Sequence, residues 1–259
     1  MTRAGKVLLI LVAAAMVATA ALSGCGAKQL TITKGTLTMG SDTAYPPFEE
    51  MKGNTPEGFD VDVATEIAKR MGLELKVIPT AWDGIIPGLK TEKYDVIMSA
   101  MTITPERSKE INFSNPYINS DQSIAVRKGS PIKGEADLAG KTVGVQIDTT
   151  GQMKAEEWQK AGKLKEIQKF DTILMAFQAL EQEKVEAVIN DYPVNLFISK
   201  TRGKTEVAAK VKTDEKYGIG VKKGNDDLLK EINSNLADIK SDGTYDKIYK
   251  KWFGVGSTT

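Results

Sequence analysis

The chain has 259 residues, 41% of them hydrophobic and 27% charged, with 35 Lys and Arg against 34 Asp and Glu. Those proportions exclude a disordered, collagen-like or multi-span membrane chain, and a net charge of +1 with the signs mixed excludes the basic stripe of a nucleic-acid binder. With no histidine and a single cysteine, Cys25, the commonest general base, an intramolecular disulfide and a multi-cysteine metal centre all drop out. No metal and no cofactor are expected.

Met1 to Lys6 carries Arg3 and Lys6, and an almost unbroken apolar run follows from Val7 to Leu22. A basic segment ahead of an apolar one reads as an export signal, and the run is shorter than the roughly 20 residues of a membrane-spanning helix. Directly behind it, Leu22-Ser23-Gly24-Cys25 resembles a bacterial lipobox. That resemblance implies removal of residues 1–24 and lipidation of Cys25. The expected product is an exported lipoprotein, held on the extracytoplasmic side of the membrane through its lipid, as by a palmitate chain. Loss of Arg3 and Lys6 turns the net +1 into about −1, so electrostatic binding to a membrane surface or a polyanion is not expected.

Ala27 to Gly35 reads as a polar linker, and strand-like and helix-like segments alternate after it. Thr36–Met39 is a strand leading into a turn-rich loop, Ser41–Glu50. Phe59–Met71 is an amphipathic helix with Val63, Ile67 and Met71 on one face and Gly72 as its stop. Leu73–Ile78 is a strand, Trp82–Lys90 a short helix and Tyr94–Met98 another strand. This β-α-β-α-β order predicts a mostly parallel sheet covered by helices. A second alternating set contains strands Ser123–Val126 and Thr142–Val145, a helix from Thr149 through Trp158, and strand Glu166–Phe170. Helix Thr172–Glu183 and strand Val185–Ile189 complete it. Asp226–Lys240, with Leu229, Ile232, Leu236 and Ile239 on one stripe, and Thr244–Trp252 are closing helices. Extended segments near Pro116–Ser120 and Val211–Gly220 join the two sets, which predicts two lobes with a cleft between them.

In open α/β sheets ligands bind where strand carboxyl ends lead into helix N-termini. Four such places carry suggestive residues: Asp42-Thr43-Ala44-Tyr45-Pro46-Pro47-Phe48, Ser99-Ala100-Met101-Thr102 with Thr104-Pro105-Glu106-Arg107, Gln146-Ile147-Asp148-Thr149-Thr150-Gly151, and Asn190-Asp191-Tyr192. Each also admits a purely structural role. Tyr45, Phe48 and Trp82 suit a core, Arg107 a solvated helix start, Asp148 and Thr149 helix caps, and Asp191 a cap or a wet strand end. Their common rim decides between the two. One arginine, one aspartate, helix-start amides and two aromatics are what a zwitterionic amino acid requires, since a guanidinium pairs with its carboxylate and a carboxylate with its ammonium. Aromatic faces can sandwich its side chain.

With these motifs and with Gly58-Phe-Asp-Val-Asp, Trp82-Asp-Gly-Ile-Ile-Pro-Gly-Leu, Asp95-Val-Ile-Met-Ser-Ala-Met-Thr, Phe113-Ser-Asn-Pro-Tyr and Gly243-Thr-Tyr-Asp in order from about Thr36 to Gly254, the chain resembles the polar and basic amino-acid-binding lipoproteins of bacterial ABC importers, solute-binding protein family 3. The resemblance implies an α/β, two-lobed type II periplasmic-binding-protein fold, each lobe a mostly parallel sheet with flanking helices, and a ligand cleft at the hinge. It implies a first lobe of residues 36–118 and 215–254, a second lobe of 119–214, a linker at 25–35 and a tail at 255–259. By the same resemblance Arg107 clamps the α-carboxylate with the amides of Thr102 and Thr150, and Asp191, with the Ala100 carbonyl, takes the α-ammonium. Tyr45 and Trp82 wall the side-chain pocket, while Asp42, Ser99 and Gln146 face the ligand's distal polar group. Ala100 stands where some relatives carry serine, and Trp82 where phenylalanine is common. Those departures bear on side-chain specificity, for which arginine is expected ahead of lysine and glutamine.

The implied function is a monomeric, non-enzymatic receptor that captures a polar or basic L-amino acid by hinge closure and delivers it to an ABC permease. Two alternatives stand beside it. Cyclohexadienyl dehydratases resemble this fold, but their chemistry needs a proton donor, and only Asp42, Asp148 and Asp191 are evident at the cleft, with no glutamate. A ligand-sensing partner of a membrane receptor is the other, its signalling chain expected to be separate because no apolar span follows the last helix.

Overall fold

The computed structural model describes residues 29–254, so the export signal, Cys25 and the tail at 255–259 lie outside the described residues. The compact unit begins at Thr31. In chain order, its first half comprises strands β1 (Thr36–Ser41), β2 (Ala44–Tyr45), β3 (Glu49–Lys52) and β4 (Thr55–Glu57), helix α1 (Phe59–Arg70), strand β5 (Glu74–Pro79), helix α2 (Ile85–Lys90), strand β6 (Val96–Ile97), helix α3 (Pro105–Glu110) and strand β7 (Asn112–Phe113). Strands β8 (Ile118–Arg127) and β9 (Thr142–Gln146), helix α4 (Thr150–Lys160), strand β10 (Glu166–Phe170), helix α5 (Ile173–Glu181), strand β11 (Ala187–Asp191) and helix α6 (Tyr192–Arg202) follow. The chain ends with strands β12 (Thr205–Tyr217) and β13 (Gly220–Val221) and helices α7 (Asp226–Ser241) and α8 (Thr244–Phe253).

Two five-stranded sheets result, ordered β5-β1-β6-β13-β7 and β10-β9-β11-β8-β12, with a small three-stranded sheet β2-β3-β4 beside them. Each large sheet holds a parallel trio in which the first strand lies between the second and the third: β1 between β5 and β6, and β9 between β10 and β11. Antiparallel strands complete both sheets. Parallel neighbours require a crossover helix, and α1, α2, α4 and α5 supply these. The order 2-1-3 means that the chain leaves the central strand in one direction and later passes to its other side. The carboxyl ends of β1 and β6, and of β9 and β11, therefore flank a crevice in each sheet.

The local chemistry explains most elements. β1 and β9 are buried along nearly their whole length, as strands covered on both faces must be. Helix α1 carries Asp60 and Asp62 in its first turn and Lys69 and Arg70 in its last, complementing the helix dipole, with Met71 as its C-cap. Gly58 precedes α1 at φ 148°, where a Cβ would run into the Phe48 carbonyl and stand 2.7 Å from Glu49 Cα. Thr104, Thr149 and Thr172 each cap a helix by accepting a backbone N–H three residues on. Core clusters form under both sheets, one around Ile124, Val143, Trp158 and Ile189, the other around Ile85, Leu89, Tyr94 and Met101.

Several elements differ from expectation. The loop Ser41–Glu50 holds β2 and the start of β3, because its chain reverses into two short antiparallel pairs. Trp82–Lys90 opens with a 3-10 turn, Trp82–Gly84, before α2 begins. Strand Tyr94–Met98 shrinks to β6, while Ser123–Val126 grows to the ten residues of β8. β12, read only as an extended joint, runs 13 residues antiparallel to β8, with register shifts between Val207 and Ala209 and between Val211 and Glu215. It is an edge strand whose Lys210, Lys212, Asp214 and Lys216 side chains are exposed at alternate positions, and such edges lack the apolar alternation that marks a strand in sequence. Helix α6 is a further addition, and α3 extends what the sequence marks only as a helix start at Arg107. No helix among the described residues is long and apolar enough to cross a membrane.

Candidate ligand-binding site

Asp42 follows β1, Ser99 and Ala100 follow β6, Gln146 ends β9 and Asp191 ends β11, so the two crevices contribute one residue or pair from each flanking strand. Tyr45 comes from β2, Trp82 from the turn before α2, Thr102 and Arg107 from the entry to α3, and Thr150 from the first position of α4. The structure brings all ten together around one cavity, and adds Thr149.

Several side chains reach across this cavity. Tyr45 Oη lies 2.8 Å from both Asn190 Oδ1 and Asp191 Oδ2. Gln146 Nε2 donates to Asp42 Oδ2 at 2.7 Å, and Trp82 Nε1 donates to the Asp148 carbonyl at 3.1 Å. Arg107 donates through Nη1 to the Thr102 carbonyl at 2.8 Å and through Nη2 to the Asp148 carbonyl at 3.0 Å. Its guanidinium also lies over the Trp82 ring, 5.1 Å from the centroid, where the cation and the ring face attract.

The solvated-arginine alternative fails, because Arg107 is 7% exposed. Phe48 takes the structural role: it is fully buried and packs edge-on against Phe59 and Tyr217. Thr149 serves both as a cap and as cavity wall. Asp148, named as a cleft acid, has an exposed side chain and instead offers its carbonyl. It does so from the left-handed region, φ 56°.

The electrostatics of the cavity are those of buried acids short of cations. Burial pushes the Asp42 carboxyl up to about 6, against the bond from Gln146 and with a further push from Asp83. Burial and then the charge of Glu215 push Asp191 up to about 7, although Tyr217, Tyr45 and Gln122 all donate to it. Burial lowers Arg107 from its ordinary value, opposed by the negative charges of Asp191 and Glu215. An arriving ammonium or guanidinium would relieve both acids, and an arriving carboxylate would relieve the arginine.

No glutamate lines the cavity, but two lie close to it. Glu215 accepts from Thr102 Oγ1 at 2.9 Å and from Thr150 Oγ1 at 2.7 Å, and the fully buried Glu49 accepts from Ser99 Oγ at 2.7 Å. Neither lines the cavity; both stand directly behind its wall. Gln122 and Tyr217 were also missed, and Asn190 stands in a suggestive run without an assigned role. Gln122 and Tyr217 carried no motif because their partners lie 69 and 26 residues away.

Residues 37–255 match the bacterial extracellular solute-binding proteins, family 3. The chain is 34% identical over 231 residues to the L-cystine-binding protein TcyJ of Escherichia coli K12, covering 87% of this chain and 85% of that protein. It is 36% identical over 223 residues to ABC transporter arginine-binding protein 1 of the same strain, covering 84% and 90%. Among solved structures, an ancestral arginine-binding protein bound to arginine is similar at a TM-score of 0.82 and 42% identity, covering 85% of this chain and 99% of that one. Ordered motifs, paired 2-1-3 sheets and a match across nearly the whole described chain agree: this protein belongs to the bacterial extracellular solute-binding proteins of family 3.

Proposed function

We propose that the protein is the amino-acid receptor of a bacterial ABC importer and that it takes a polar or basic L-amino acid, arginine ahead of lysine and glutamine. One observation carries the reading: Arg107, Asp191 and Asp42, each less than a tenth exposed, line the same cavity. A free amino acid with a cationic side chain presents one anion and two cations, which is the complement of that set. In this reading Arg107 pairs with the α-carboxylate, aided by the amides of Thr102 and Thr150, and Asp191 takes the α-ammonium with the Ala100 carbonyl. Tyr45 and Trp82 flank the side chain, and Asp42, Ser99 and Gln146 meet its distal end.

The lobes in this reading are 36–118 with 215–254, and 119–214, and they close on the ligand about β8 and β12. Each charge-assisted hydrogen bond contributes about 1.5–3 kcal/mol net, and the ligand favours closure only by its extra contacts in the closed form. The protein acts as a monomer and performs no chemistry on its ligand, in keeping with relatives named as binding proteins. Lipid attached at Cys25, after removal of residues 1–24, would hold it beside its permease. Calorimetric titration with arginine, lysine, glutamine and cystine tests the assignment. Arginine is expected to bind most tightly, and a higher rank for glutamine or cystine would overturn it.

A further inference from the structure

Behind the cavity wall, Glu49 of β3 and Asp60 of α1 are both fully buried, and neither has a part in the binding scheme above. Three hydrogen bonds reach these carboxyls. Glu49 Oε1 accepts from Ser99 Oγ at 2.7 Å, while Asp60 Oδ2 accepts from the Ala100 N–H at 2.7 Å and from Tyr117 Oη at 2.8 Å. The remaining oxygens, Glu49 Oε2 and Asp60 Oδ1, are buried and have no donor. The two side chains are nevertheless within hydrogen-bonding reach of each other. Two carboxylates cannot bond to each other, whereas a carboxylic acid and a carboxylate can. One proton satisfies both orphaned oxygens at once.

We propose that Glu49 and Asp60 share one proton between Oε2 and Oδ1, and that this acid–carboxylate pair positions the Ser99–Ala100 corner of the cavity. The titratable groups that act on the pair are Asp42 from the loop after β1, Tyr45 from β2, Tyr117 ahead of β8 and Tyr245 from α8. None of them is a cation. Burial holds both carboxyls above their usual range, and the charge of Asp60 raises Glu49 further, so one proton stays on the pair when exposed acids are ionised.

The positional consequence follows from the bonds. Ala100 sits at φ 44°, a conformation disfavoured for a residue with a Cβ, and its N–H is held there by Asp60. Ser99, held by Glu49, accepts the Asp42 N–H at 3.0 Å and so ties the corner to the first crevice. The shared proton stands independently of what the cavity binds, whereas the effect on affinity rests on the amino-acid reading.

Infrared spectroscopy and arginine titration test the two halves separately. At about pH 9, where carboxyls raised only to about 6 and 7, as in Asp42 and Asp191, are ionised, the full-length protein should show the carbonyl stretch of one protonated carboxylic acid. Glu49→Gln should remove that band, because its amide makes the same bond without a titratable proton. If that variant fails to fold, Asp60→Asn should remove it equally, with Glu49 becoming the ionised acceptor. A wild-type protein without the band, or a band that survives either substitution, overturns the shared proton. Glu49→Ala should weaken arginine binding at least tenfold, and Glu49→Gln should restore most of that loss at matched thermal stability. Equal losses in both variants would overturn the positioning role. A band that behaves as expected in a protein that ignores arginine would overturn the amino-acid reading and leave the shared proton standing.

Discussion

Gln146, the last residue of β9, and Asp42, the first residue after β1, lie 104 residues apart and meet at 2.7 Å across the cavity. The amide holds the carboxylate without neutralising it, so Asp42 keeps a buried charge that a cationic ligand can answer. Asp42→Asn can still accept from Gln146 and loses only the charge. Arginine affinity should then fall more than tenfold, which is about 1.4 kcal/mol or above. Glutamine affinity should fall less, because an amide still accepts a hydrogen bond. Titrating both ligands against both proteins checks the difference.

Arg107→Ala and Asp191→Ala should each reduce amino-acid affinity a hundredfold or more with the fold retained. Each change leaves one ligand charge unpaired in a closed cavity, a loss of about 3–5 kcal/mol. Arg107→Lys should restore little, since two carbonyl contacts and the Trp82 stack use the planar guanidinium. Near-wild-type affinity in any of the three, measured by calorimetry, would remove that residue from the clamp.

The raised carboxyls set a pH dependence with a definite sign. In the ligand-free protein Asp42 and Asp191 bind protons more tightly than in the unfolded chain. Their contribution to stability is present below about pH 4, the unfolded carboxylate value, and is lost as pH rises through about 6 for Asp42 and about 7 for Asp191. The melting temperature without ligand should therefore carry a falling component over that window, and Asp191→Asn should remove its share. Arginine needs both acids ionised, so its affinity should climb across the same window with proton release. Titrations in buffers of different ionisation enthalpy would reveal that release.

Gly88 sits in α2 against Tyr94, and a Cβ placed there would stand 2.8 Å from Tyr94 Cζ and closer still to its hydroxyl. That hydroxyl donates to the Ile85 carbonyl, so the ring cannot swing away without breaking the bond. Gly88→Ala should destabilise the fold by about 1–3 kcal/mol through overpacking. Thermal unfolding should register this as a lower melting temperature.

Cys25→Ser should move the protein from the membrane fraction to the soluble extracytoplasmic fraction, with arginine affinity unchanged in vitro. A variant that still sediments with membranes would mean that Val7–Leu22 anchors the chain without any lipid.

The sequence alone determined the alternation of strands and helices, the two sets of elements and the rim on which the site residues fall. Hydrophobic periodicity, glycine stops and threonine caps are local signals, and local signals survive in one dimension. Elements that depend on a distant partner did not: β12 is a charged edge that β8 alone makes a strand, and β6 keeps only the two residues that pair. The loops that hold the ten candidate residues were legible at strand ends and helix starts, and the family resemblance singled out the ten within them. Their convergence on one cavity, and the groups behind it, were decided only by tertiary structure. Glu49 next to Glu50 reads as an ordinary polar pair until the chain reversal at β2 and β3 buries one of them against Asp60 and Ser99. Burial is what changes the chemistry of a carboxyl, because a charge stripped of water is stabilised only by the partners that folding brings to it.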